Sequence, residues 1–98
     1  MHAELIKSYL QIIPTTTVYC LGEYLYKMNY GRFGIEVGKF QNDHFGECYS
    51  LKITESGRPF LSKEAPEGTT EYDQIRALYI SMQAKFHAHM KYYARMGH

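Results

Sequence analysis

The chain has 98 residues, with 11 Lys plus Arg against 10 Asp plus Glu and a formal net charge of +1. So short a chain supports one small domain, and 45% hydrophobic residues argue against wholesale disorder. Near-neutral charge argues against a histone-like or tail-like nucleic-acid binder, and two cysteines, Cys20 and Cys48, are too few for a disulfide-stapled scaffold.

In chain order, residues 3–13 read as a short amphipathic helix. Leu5, Ile6, Tyr9, Leu10 and Ile13 recur at three- and four-residue steps, which gathers them on one face. Pro14 stops that helix. Residues 17–30 carry two signals. Val18, Leu21, Leu25 and Met28 have helical spacing, and the preceding Thr can cap. Thr, Val, Tyr and Cys favour strands, and Gly22 weakens a helix interior. The spacing carries the reading towards a helix ending near Gly31, with a hairpin as the alternative.

The next segment alternates. Phe33, Ile35 and Val37 share one face, and Tyr49, Leu51 and Ile53 repeat the pattern. The intervening Gln41–Gly46 is turn chemistry, so the pair predicts a hairpin with one oily face. Glu55–Arg58 is a second turn, and Pro59–Leu61 is read as a short edge strand. Ser62–Gly68 reads as a polar connector.

The strongest element is the last. Thr70 with Asp73 three positions on resembles a capping box. From there Ile75, Leu78, Tyr79, Met82, Phe86, Met90 and Tyr93 hold one stripe, and neither Gly nor Pro interrupts residues 69–96. A helix of about 25 residues is ~37 Å long, whereas a domain of this size is only slightly over ~30 Å across. Its last turns therefore project or pack on something else, with a partner or a second copy of the chain as candidates.

Together these elements predict an α+β fold: a small antiparallel sheet of two to three strands, packed against a long C-terminal helix, with one or two N-terminal helices. The expected core is Ile35, Val37, Leu51, Ile53, Ile75, Leu78, Met82 and Phe86.

Signatures of catalysis are absent from the sequence. It has no CxxC, HExxH, phosphate-loop, GxGxxG or calcium-loop pattern. Gly31, Gly34 and Gly38 lack dinucleotide spacing and read instead as close backbone approach or a bulge. His87 and His89 lie two apart on a helix, about 200° around the axis, so they do not chelate one ion together. His44 and Cys48 flank a turn, but two ligands do not make a structural zinc site. No metal, cofactor or catalytic residue is assigned, and the chain is read as non-enzymatic. Cys20 and Cys48 read as reduced thiols, although one bridge between them is open on parity. There is no apolar run of bilayer length. Met1–Glu4 lacks the features of a signal peptide, so the expectation is a soluble, cytoplasmic protein without membrane association.

Two features point to partners. The charge is divided: residues 74–98 hold Arg76, Lys85, Lys91 and Arg95 and no acid, while residues 1–73 hold seven basic and ten acidic residues. The chain also has ten Tyr and no Trp. Tyr9, Tyr19, Tyr24, Tyr26 and Tyr30 cannot all enter so small a core, and Tyr is enriched in contact surfaces. Tyr24, Tyr26 and Tyr30, with Lys85, Lys91, Tyr92 and Arg95, are therefore the candidate partner-binding residues. A protein partner is the first expectation, in the manner of small inhibitors or adaptors, including those of mobile elements and viruses. The alternative partner is nucleic acid, held by the basic, aromatic C-terminal helix.

Overall fold

A computed structural model describes the backbone of residues 2–96 and the side chains of residues 4–91. The order is α1 (His2–Ile12), a 3-10 turn (Ile13–Thr15), β1 (Val18–Gly22), β2 (Leu25–Tyr30), β3 (Phe33–Asn42), β4 (Gly46–Glu55), β5 (Arg58–Pro66) and α2 (Thr70–Met96). The α+β class holds, but the sheet has five strands rather than two or three, and one α-helix precedes it.

The sheet is an antiparallel meander in the order β1-β2-β3-β4-β5. Residues 17–30 form its first hairpin, not a helix. The spacing that suggested a helix has a different origin: Val18 and Met28 are neighbours because they pair across β1 and β2. Leu21 lies at the irregularity between Cys20 and Gly22. The strand wins because this segment is rich in β-branched and aromatic residues, and because β2 covers one edge of the ten-residue β3. A helix there would leave that row of backbone donors and acceptors unpaired. The second extension is β5, which runs nine residues to Pro66, so most of the expected polar connector is edge strand.

Turns fix the register. Between β3 and β4, Asn42 Oδ1 accepts from the backbone N–H of His44 (2.8 Å) and Phe45 (3.2 Å). Between β4 and β5, Ser56 and Gly57 both have positive φ (52° and 84°), the geometry of a tight two-residue hairpin turn.

Both helices pack on one face of the sheet. Val18, Tyr26, Met28, Ile35, Val37, Tyr49, Leu51, Ile53 and Ala65 meet Ile75, Leu78, Tyr79 and Met82 of α2 in one apolar cluster, which Ile6, Tyr9 and Ile13 complete. Of the expected core, only Phe86 sits at the margin, half-buried. The opposite face is polar. Lys27 pairs with Glu36 and Glu36 with Lys52, so charge alternates across three strands and stays solvated.

The cap of α2 lies one residue earlier than the capping box suggested. Thr69 Oγ1 accepts from the Tyr72 N–H at 3.1 Å and donates to the Pro66 carbonyl at 2.8 Å. Burial along α2 ends at Phe86, and the side chains of residues 87–91 are exposed. The molecule measures 46 × 30 × 21 Å, and its 27-residue helix, ~40 Å at 1.5 Å per residue, accounts for the long axis.

Candidate functional site

The tyrosines of the sheet and of α2 fall into two populations among the described residues. Tyr26, Tyr49, Tyr72 and Tyr79 form a stack of rings between the sheet and α2. Ring centroids lie 5.4 Å apart for Tyr26–Tyr79, 5.3 Å for Tyr49–Tyr79 and 5.1 Å for Tyr49–Tyr72, all tilted or edge-on. Tyr26 is thus a core residue, 3% exposed and packed also on Phe86, and it presents no contact surface. It is placed there by register: Tyr26 pairs with Val37 and therefore points to the helices.

The second population lies outside. Tyr19, Tyr24 and Tyr30 are 50–54% exposed, and Leu21 is 51% exposed beside them in sequence. Sequence reasoning named Tyr24 and Tyr30 but missed Tyr19 and Leu21. The missing signal was the hairpin itself, since only strand alternation sends Tyr19 away from the side that Val18 occupies.

The β1–β2 corner also carries a recess. A cleft of about 200 Å³ is lined by Tyr24, Lys39, Phe40 and Gln41. Lys39 is held there by an ion pair with Glu47 at 3.1 Å, and the backbone N–H of Lys39 donates to the Tyr24 carbonyl at 3.0 Å. Glu47 is shared: the Tyr72 hydroxyl also donates to its carboxylate. These contacts hold the Glu47 carboxyl below the usual carboxylate range, chiefly through the Tyr72 hydrogen bond and then the Lys39 one. The same hydrogen bond raises the Tyr72 phenol. The network joins β3, β4 and α2 behind the corner, so the cleft has a fixed wall.

The two sheet edges differ. β5 carries Arg58, Pro59, Lys63, Glu64 and Pro66, together with an irregular register beside Thr54. Prolines, charges and bulges of this kind block strand addition. β1 reads Val-Tyr-Cys-Leu-Gly, with no proline and no charge. Its protection is the register shift after Cys20.

Of the cations on the C-terminal half of α2, Lys85 is engaged within the fold. Lys85 Nζ donates to the Pro14 carbonyl at 2.7 Å and ties α2 to the 3-10 turn. Lys91 is exposed. The side chains of Tyr92 and Arg95 lie outside the described residues. Cys20 is an exposed free thiol and Cys48 a buried one, so they form no bridge. Among the described residues no three His, Cys, Asp or Glu side chains are grouped to hold a metal ion, and no helix is long and apolar enough to cross a membrane.

No family model, no curated protein and no solved structure matches the chain.

Proposed function

We propose that the chain is a small non-enzymatic protein-binding module, of the inhibitor or adaptor kind, whose contact surface is the β1–β2 corner. The observation that carries this reading is that Tyr19 and Leu21, each about half exposed, lie on an edge strand without proline or charge, and that the equally exposed Tyr24 lies in the turn that follows it. An extended segment of a partner protein laid along β1 gains main-chain hydrogen bonds from the open edge. Tyr19 and Tyr24 then supply contact area at low ordering entropy. The cleft beside Tyr24 accepts one partner side chain, and the paired Lys39 and Glu47 offer it polar contacts. A cytoplasmic location accompanies this reading, supported by two thiols that stay unpaired.

The test is quantitative co-purification from the native host, comparing wild type with a Tyr19→Ser/Leu21→Ser/Tyr24→Ser variant. All three side chains are exposed, so the expected result is loss of the captured partner with Tm changed by no more than a few degrees. Retention of the same partner by the folded variant refutes the reading.

A further inference from the structure

The helix α2 outruns the sheet that it covers. Its Tyr72 ring packs on Tyr49 of β4 and its Tyr79 ring on Tyr26 of β2. Lys85 and His89 then line one cleft of about 220 Å³ with Pro14–Val18, so the helix reaches the β1 edge there. Seven residues of α2 follow His89, ~10 Å of helix or about two strand spacings. Met90 stands four residues after Phe86 and continues the buried stripe, yet it is 51% exposed. The apolar side of α2 thus runs on beyond the last strand.

Whatever completes this edge meets two demands at once. It offers backbone donors and acceptors to β1 and an apolar side to Met90, and an added β-strand does both. The chain itself carries a strand that fits. β1 is uncharged and pairs regularly with β2 from Val18 to Cys20, with the irregularity confined to its Gly22 end. Antiparallel pairing of two β1 strands about Tyr19 uses that regular part. It keeps the helices of both copies on one face, and it makes the two exposed Tyr19 rings cross-strand neighbours on the other. The charges match as well. Residues 74–91 hold Arg76, Lys85 and Lys91 and no acid, whereas the exposed Glu23 follows β1. Antiparallel pairing carries the partner's Glu23 to the Thr15–Thr17 end of β1, where the cationic part of α2 passes. The two-fold axis repeats that match on the other side.

We infer that a second copy of this chain occupies the β1 edge, through antiparallel β1–β1 pairing about Tyr19 that joins the two sheets into one. The inference rests on the open edge used in the proposed function and deepens it: a self-paired β1 is closed to a foreign strand, so the monomer is the capturing form. A five-residue strand makes a small interface, of the weak and reversible class.

Sedimentation velocity of the purified protein, from low micromolar to millimolar concentration, tests it. The expected result is a reversible shift from monomer to dimer. Cys20→Lys places a charge on the exposed edge and should weaken the dimer at least tenfold, with the circular dichroism spectrum unchanged. Glu23→Lys and Lys91→Glu should each weaken it several-fold, and the two together should restore it. Oxidative trapping locates the contact independently: Tyr19→Cys in a Cys20→Ser background should link two chains, and the equally exposed Tyr30→Cys in that background should not. A monomer at every concentration, a dimer indifferent to Cys20→Lys, or equal linking of Tyr19→Cys and Tyr30→Cys overturns the inference. A protein that captures a host partner yet stays monomeric overturns this inference alone, and one that dimerises through β1 yet captures nothing overturns the proposed function alone.

Discussion

Replacing Tyr79 by Phe removes a single oxygen from the centre of the ring stack. That oxygen is buried and has no hydrogen-bond partner, while the ring is 3% exposed and packs on Tyr26 and Tyr49. A buried hydroxyl left unsatisfied destabilises the folded state by about 1–3 kcal/mol. The small void left by its removal offsets roughly 0.3–0.5 kcal/mol of that. Tyr79→Phe is therefore expected to stabilise the protein by about 1 kcal/mol, or ~4–8 °C in Tm for a domain of this size. The pH dependence supplies a second readout. Burial pushes the Tyr79 phenol from its ordinary 10.0 up to about 12. Above pH 10 the unfolded chain releases this proton while the folded chain keeps it, so the unfolded state gains. Stability is complete below pH 10 and falls until about pH 12, by ~1.4 kcal/mol per pH unit. The phenyl ring of the variant cannot ionise, so the advantage of Tyr79→Phe should grow by ~1.4 kcal/mol between pH 9 and pH 11. Urea unfolding followed by far-UV circular dichroism at the two pH values measures both quantities. A variant that loses 1 kcal/mol or more, or a stability gap that stays constant with pH, refutes this account of the stack.

Two further substitutions probe the frame around the corner. Glu47→Gln removes the charge shared by Tyr72 and Lys39. Because the Glu47 carboxyl is held below its usual range, its contribution is present above pH 4.5 and disappears as pH falls through the folded value. The variant is therefore expected to be less stable than wild type at pH 7, with the gap narrowing as pH falls below 4.5, as read from urea midpoints. Gly34→Ala tests the close approach on the polar face. A Cβ at Gly34 would lie 2.8 Å from Thr54 Oγ1, so the variant should lose about 1–2 kcal/mol. Adding Thr54→Ala should restore most of it, and a strictly additive double variant would show that the clash is not the cause.

The oily face of β3 and β4 was legible because strict alternation there has one explanation, and the buried positions of α2 followed from its stripe. The limits of the sheet were not legible, and the reason is the same at both ends. β1 and β5 are edge strands, each packed by a single neighbour, so their sequences answer to turn geometry and exposure more than to burial. In β5, Pro59 and the charged Lys63 and Glu64 look like connector because they protect an edge. In β1, Val18 alone is buried, so the strand leaves one apolar residue on the core side and imitates a helix by accident of its register with Met28. The proposed contact surface inherits that ambiguity. Tyr26 and Tyr24 are indistinguishable by type, and only strand parity separates a core ring from an exposed one. Lys85 shows the same thing for charge: composition counts it with Lys91, whereas its bond to Pro14 makes it part of a cleft. Composition thus identified which residue types were in excess, ten tyrosines and a run of unopposed cations. Pairing register decided which tyrosines are buried, and one long-range hydrogen bond decided where Lys85 is held.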